Sequence, residues 1–283
     1  MIMVIFSFAI IFCFGLVVGS FLNALTYRLA VAEGLEKKPK ESASSSVLNG
    51  RSYCPQCGHK LSWFDLVPLA SFFFLKGKCR YCAGRISWQY PLVELATGCV
   101  FILLSYVQHR EVSLQYWNFE NLLLVAYTFC LASFMIAIFV YDWKHYLIPD
   151  HLLFLSIGLT LVYLAWRSAQ TSSWDIFLNA GFAALIAAGF FLALFLVSRG
   201  RWMGFGDVKL ALFMGLFLGW PGILVALFIA FVLGAIIGLA LIGFGKKRMK
   251  SEVPFGPFLL IATLIAYAGG ETLASWYIRF VLI

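Results

Sequence analysis

Residues 175–219 read DIFLNAGFAALIAAGFFLALFLVSRGRWMGFGDVKLALFMGLFLG. The run 175–198 is long enough for a membrane span, which needs about 20 mainly apolar residues. A short basic break at Arg199 and Arg201 follows. The chain then passes through Gly204-Phe205-Gly206-Asp207 and becomes apolar again. A carboxylate at the edge of a span is costly and is usually kept for function. This stretch poses the two questions that decide the fold and the chemistry: how often the chain crosses a membrane, and what Asp207 is for.

The composition answers the first in outline. The chain has 283 residues, 62% hydrophobic and only 12% charged. A soluble domain is about 45–50% apolar and about 25% charged, so a polytopic membrane protein is expected and a soluble one nearly excluded. The 29 Phe, 9 Trp and 12 Tyr supply lipid-facing bulk and interfacial anchors. Candidate spans are 2–26, 91–108, 121–141, 148–167, 175–198, 207–219, 221–244 and 255–281, giving an all-α protein of about eight transmembrane helices. Residues 1–26 lack a preceding Lys or Arg and a small-x-small cleavage site, so they read as a retained span rather than a signal peptide. The break at Gly219-Trp220-Pro221-Gly222 reads as a tight turn, the other option being a kink in one long helix that would leave seven spans.

The net charge of +8 is carried by the loops, which argues for topology and against nucleic acid. With the 27–90 segment taken as cytoplasmic, 18 of the 21 Lys and Arg fall on the cytoplasmic side. Only Arg110, Arg167 and Arg279 fall on the other. Merging spans six and seven would move the basic cluster 246–250 outside, so that cluster favours eight. Both termini are then expected outside the cytoplasm. Three domains follow: a first helix at 1–26, a cytoplasmic loop domain at 27–90 and a membrane core at 91–283. Within the loop, 35–50 is polar and Ser-rich and reads as a flexible linker.

Four of the 7 cysteines form a spaced set. Cys54-Pro55-Gln56-Cys57 and Cys79-Arg80-Tyr81-Cys82 are two Cys-x2-Cys pairs at the separation of a four-thiolate zinc site. Two disulfides are the alternative, disfavoured in a cytoplasmic loop where thiols stay reduced. Four protein ligands leave no open position for water, so the metal role is structural. Gly58 and Ala83-Gly84 give the turns room, and His59 is an alternate ligand to weigh. Cys13, Cys99 and Cys130 lie in apolar runs and read as small buried residues.

The carboxylates near span ends carry the remaining chemistry. Asp142, in Tyr141-Asp142-Trp143-Lys144-His145, lies at a helix C-terminus, where the macrodipole disfavours negative charge. Asp150 follows Pro149, and its plainer reading is an N-cap. Asp207 has a capping reading too. Its functional reading is that Gly204 and Gly206 let backbone approach a substrate and set the carboxylate at a helix start. Topology brings Asp142 and Asp207 to the same face. Two carboxylates at close range cannot both carry a charge easily, which suits one to act as base on water and the other as acid. No Gly-x-Ser-x-Gly, His-Glu-x-x-His or GxxxxGK[ST] pattern competes.

Taken in order along the chain, several motifs resemble the bacterial type IV prepilin peptidases, membrane aspartic proteases with a GxGD motif. They are Gly19-Ser20-Phe21-Leu22-Asn23 with Tyr27-Arg28-Leu29; Ser52-Tyr53-Cys54-Pro55-Gln56-Cys57 with the Cys79–Cys82 pair; and Ile86-Ser87-x-x-Tyr90-Pro91-Leu92-Val93-Glu94-Leu95. Asp142 with Leu147-Ile148-Pro149-Asp150, Gly204-x-Gly206-Asp207-Val208-Lys209-Leu210 and Pro254-Phe255-Gly256-Pro257-Phe258 complete the set. The resemblance implies that Asp142 and Asp207 are the catalytic pair and that Cys54, Cys57, Cys79 and Cys82 are the family's cytoplasmic quartet. It implies removal of a basic leader from prepilins and pseudopilins, at the cytoplasmic face of the inner membrane, for type IV pilus or type II secretion assemblies. It further implies N-methylation of the new N-terminus with S-adenosylmethionine, since the large loop accompanies that second activity. Residues that bind this methyl donor stay unassigned, with no Rossmann-like glycine signature in the loop. The chain departs from the family pattern at Leu66-Val67-Pro68 and at Phe205. Gly204, Gly206, Lys209 and Glu94 are candidate substrate contacts, and membrane lipids are the other partner.

Three alternatives remain open at this point. One is a peptidase without methyl transfer. Another is an ion-coupled transporter using the paired carboxylates, although transport sites lie near the bilayer midplane and both aspartates here end spans at one face. The third is a zinc-ribbon scaffold, which leaves Asp142 without a reason.

Overall fold

The computed structural model describes residues 2–36, 47, 50–111, 119–244 and 253–281. Residues 37–46 and 48–49 of the expected linker, and the basic cluster at 246–250, lie outside the described residues. Nine α-helices form among those described: α1 (Ile2–Ala32), α2 (Ala70–Phe74), α3 (Gln89–Glu111), α4 (Phe119–His145), α5 (Asp150–Thr171), α6 (Asp175–Ser198), α7 (Phe205–Leu218), α8 (Gly222–Gly243) and α9 (Gly256–Val281). All but α2 fall on the runs read as spans, with α1 continuing to Ala32 past the expected end at 26. No named strand forms among the described residues; two isolated antiparallel bridges join Tyr53 to Lys60 and Lys78 to Arg85.

Six of the helices are long and apolar enough to cross a membrane: α1, α3, α4, α5, α6 and α8. The chain is an all-helical polytopic membrane protein. α7 has 14 residues, short of a full span of about 20. Its end is built, not frayed. Gly219 takes φ +65°, a region that favours glycine. Asn179 of α6 then clamps the turn: its Oδ1 accepts the Trp220 N–H at 2.7 Å, and its Nδ2 donates to the Trp220 carbonyl at 3.3 Å. The turn expected at 219–222 is present and α7 and α8 are separate helices.

The chain divides into two compact units, Met1–Val140 and Tyr141–Ile283. In the first, α1 and α3 run antiparallel at close range. A Cβ on Gly15 would lie 2.7 Å from the Gly98 Cα, and one on Gly19 would lie 2.7 Å from the Glu94 Cα. Gly15 and Gly19 form a small-xxx-small motif, which lets membrane helices meet backbone to backbone where no hydrophobic force draws them together. One turn further on, Asn23 donates from Nδ2 to the Tyr90 carbonyl at 3.1 Å.

In the second unit, α6 packs on α7, α8 on α9, and both α5 and α9 also contact α7. The α6–α7 seam uses the same device. Ala180, Ala183, Ala184 and Ala187 are buried on α6, and a Cβ on Gly215 of α7 would lie 2.7 Å from the Ala183 carbonyl carbon. Backbone cannot step aside as a side-chain tip can. Gly215→Leu is therefore expected to force the seam apart and destabilise the protein by about 1–3 kcal/mol. Thermal unfolding in detergent checks this; an unchanged midpoint would contradict the backbone-to-backbone contact.

Candidate active site

Asp142 lies in the last turn of α4. The helix ends at His145, and Tyr146, with φ +59°, turns the chain; its N–H still bonds the Asp142 carbonyl at 2.9 Å. Residues 146–149 are non-helical and Pro149, extended, precedes α5. Asp207 comes from the other end of the unit, in the first turn of α7. Two helices, α5 and α6, lie between the end of α4 and the start of α7. An even number of crossings returns the chain to the face it left, so the two aspartates share a face.

Ile148 joins them. A Cβ on Gly206 would meet the Ile148 Cβ at 3.2 Å, and one on Gly256 would meet the Ile148 Cδ1 at 3.5 Å and collide with the Asp142 carboxylate. Asp142, Gly256, Ile148, Gly206 and Asp207 thus form one contiguous surface from four chain segments. Asp142 is 5% exposed and Asp207 8%. Their carboxylates lie within range of each other's charge.

The carboxylates are held by backbone donors. The Gly256 N–H, at the start of α9, faces Asp142. The helix dipole disfavours Asp142 at the end of α4, and the N-terminus of α9 supplies a compensating positive end. Gly204 is the N-cap of α7, so Asp207 is its third helical residue, and its carboxyl group lies on the side of the Gly204 N–H. This is the third helical position, from which a carboxylate can face the N-cap N–H. Capping and catalysis are compatible at Asp207, because one carboxylate has more lone pairs than one N–H can use.

The structure separates the remaining candidates. Gly204 is open, since a Cβ there would meet nothing nearer than the Gly206 nitrogen at 3.9 Å, whereas the bare face of Gly206 is filled by Ile148. Lys209 forms an ion pair with Asp150, and its ammonium sits 5.7 Å from the ring centres of both Phe154 and Phe205. Asp150 is the first residue of α5 rather than its cap, and Pro149 takes the cap position without a side-chain hydrogen bond. The expected capping role is not what holds Asp150; the charge of Lys209 is. Glu94 belongs to the first unit, where its Oε2 accepts the Leu69 N–H at 2.8 Å.

The four cysteines meet in the first unit. Their sulfurs all lie within 4.8 Å of one another, with Cys54 Sγ 3.9 Å from Cys82 Sγ. Zinc–sulfur bonds of about 2.3 Å in a tetrahedron require sulfurs about 3.8 Å apart, so the cluster fits a metal ion. Each pair is a knuckle closed by one of the isolated bridges, with Gly58 at φ +72° and Ala83 at φ +55° making the two turns. Burial pushes the Cys54 thiol up to about 12 even though the Cys57 and Gln56 N–H groups point at its sulfur. A bound cation would reverse that. At Cys79 burial acts in the same sense but is outweighed by the N–H groups of Cys82 and Tyr81, and the thiol lies below its ordinary value. His59 is not part of the four-sulfur cluster; its ring packs at a tilt against that of Tyr81, centroids 3.7 Å apart. Asp65 ties the knuckles down. Its side chain is 3% exposed and accepts from Arg80 Nε at 2.8 Å, Tyr81 Oη at 3.0 Å and the Ser62 N–H at 3.1 Å. Burial alone would raise its carboxyl, but these hydrogen bonds hold it below the usual range.

Residue-by-residue reading of the sequence gave no role to Ile148 or Gly256. The signal was present in Pro254-Phe255-Gly256-Pro257-Phe258, where a glycine between two prolines has no reason in a plain span.

Residues 13–109 match the family model described as the bacterial peptidase A24 N-terminal domain, and residues 129–239 match that of the type IV leader peptidase family. A prepilin leader peptidase/N-methyltransferase of Aeromonas salmonicida is 32% identical, over 97% of this chain and 95% of its own. One of Legionella pneumophila is 30% identical over 97% and 96%, and one of Bacillus subtilis 31% over 97% and 99%. No solved structure matches the chain. With ordered motifs, full-length similarity and a paired-aspartate surface in agreement, the chain belongs to the type IV leader peptidase family.

Proposed function

We propose that this protein is a membrane aspartic endopeptidase that removes the basic leader from type IV prepilins and pseudopilins. The reading places it in the bacterial inner membrane, with Asp142, Asp207 and the 27–90 loop domain at the cytoplasmic face, and adds N-methylation of the new amino terminus with S-adenosylmethionine. The observation that carries it is the surface on which Ile148, packed between Gly206 and Gly256, holds Asp142 and Asp207 together in a chain of this family. Orientation is supported by the 18 of 21 basic residues assigned to one side. The methyl transfer is supported by the relatives' name, and no residue is assigned to it.

The cleavage step follows from two carboxyl groups sharing one proton. The ionised carboxylate takes a proton from water as the water oxygen attacks the scissile carbonyl carbon. The protonated partner gives its proton to the carbonyl oxygen. Collapse of the tetrahedral diol breaks the C–N bond: the leaving amine takes a proton from one carboxyl group of the pair while the other takes a proton from a diol hydroxyl as the new carboxyl group forms, so the pair again holds one proton. The two roles belong to the pair rather than to one residue. Open backbone at Gly204 lets an extended substrate approach without a side chain in its path. A prepilin whose apolar helix lies in the bilayer and whose basic leader stays in water presents its cleavage point at the level of a span end, where both aspartates are.

The quartet Cys54, Cys57, Cys79 and Cys82 would hold a structural zinc, which supplies the cross-link that a loop with little apolar core lacks.

Purified protein and a synthetic prepilin test the catalytic pair. Asp142→Ala and Asp207→Ala should each lower cleavage by at least about a hundredfold with an unchanged thermal midpoint; full activity in either would sink the assignment. Gly256→Ala should also cut turnover steeply, because its Cβ would displace the Asp142 carboxylate, while leaving substrate binding nearly unaltered. A loss confined to KM would point away from that contact. Elemental analysis should find one zinc per chain, lost in a Cys54→Ser, Cys79→Ser variant; zinc retained there at full stoichiometry would end the metal reading.

A further inference from the structure

The loop between α1 and α3 displays large aromatic side chains: Phe74 is 86% exposed, Trp63 78%, Trp88 63% and Phe73 62%. Apolar surface of this size on a small loop marks an interaction site. Much of it is contiguous. Phe72 packs its ring 4.9 Å from that of Trp88 and 5.8 Å from that of Phe73. Trp88 in turn stands one helical turn before Leu92, which is exposed on the membrane span α3. The aromatic face of α2 therefore continues into the lipid-facing surface of a span.

The depth of α2 is fixed by a hydrogen bond. The Leu69 N–H, immediately before α2, donates to Glu94 Oε2 at 2.8 Å. Glu94 is buried and lies five residues into α3, about 7.5 Å along the helix axis from Gln89. Leu69 holds φ +59°, a conformation that a residue with a side chain rarely adopts. The chain thus makes an unfavourable turn in order to place the start of α2 against the second turn of a span. α1 marks the opposite direction. Asn23 bonds the Tyr90 carbonyl, and Ala32 lies nine residues beyond it, about 14 Å past the level at which α3 begins.

Charge agrees with this depth. Lys76 and Lys78, both exposed, directly follow α2, and Arg85 bridges to Lys78. Aromatic side chains on one side and basic residues at the rim are the pattern of a segment lying in the headgroup region of an anionic bilayer.

We infer that residues 69–74 are a membrane anchor that lies in the bilayer interface without crossing it. Phe73 and Phe74 enter the acyl boundary, Trp88 sits at headgroup level, and Lys76 and Lys78 meet anionic lipid headgroups. The occupant of the exposed aromatic face is lipid. The cysteine knuckles are held against the membrane surface by this anchor and by the Glu94 bond, rather than hanging from a tether.

The test uses the full chain in nanodiscs of phosphatidylethanolamine and phosphatidylglycerol. The photoreactive residue p-benzoylphenylalanine replaces Phe74, or Leu185 (exposed on α6), or Ala32. After irradiation and digestion, mass spectrometry reads phospholipid adducts. Phe74 should give adducts at a yield comparable to Leu185 and at least about tenfold above Ala32. No lipid adduct at Phe74 beside a positive Leu185 overturns the anchor, as does a protein–protein adduct at Phe74 in place of lipid. The readout is independent of peptidase activity.

Discussion

A carboxylate inside an apolar bundle must have its lone pairs met, and in the second unit the answer is backbone. The Gly256 N–H faces Asp142 and the Gly204 N–H faces Asp207. Backbone donors serve where a cation would not: an Arg or Lys beside either group would hold it permanently ionised and remove the acid from an acid–base pair. The cost is steric. Only a residue without Cβ can bring its backbone so near, and Gly256 is that residue. The start of α9 and the residue that caps α7 supply these N–H groups, and Ile148 packs against both glycines beside the carboxylates.

Rigidity comes from a second use of the same property. At Gly15 and Gly98, Gly19 and Glu94, and Gly215 and Ala183, neighbouring helices approach backbone to backbone. In lipid, helix association depends on packing rather than on burial from water. Close seams maximise dispersion contact and resist sliding. α7, too short to be a full span, relies on its seam with α6 and on the Asn179 clamp at Trp220. A helix seated on α6 and clamped just beyond its C-terminus in this way can hold Asp207 at a constant position.

Much of this was legible in the sequence. Eight of the helices coincide with the eight apolar runs, and six of them are long and apolar enough to span, because length and apolarity are strong signals for spans. The cysteine spacing marked a four-sulfur cluster because two knuckles of fixed geometry leave few other arrangements. What escaped was partner choice. Asp150 after Pro149 has the look of a cap, but the pattern cannot show that Lys209, 59 residues away, claims its carboxylate. Gly15 and Gly19 lie in an apolar run where their spacing is easily passed over. The contact between Gly256 and Asp142 depends on where α9 begins in space, which no local pattern records.

The fates of the other acids sharpen the assignment. Asp65 is consumed by Arg80, Tyr81 and the Ser62 N–H, Glu94 by the Leu69 N–H, and Asp150 by Lys209. Each holds one part of the chain to another. Among the described residues, Asp142 and Asp207 alone are buried acids of the second unit, and neither has an ion pair. A buried carboxylate serving only stability would be better replaced by an apolar residue of similar size. Two of them on one surface, with no cation paired to either, are a poor device for holding helices together and a suitable one for moving a proton.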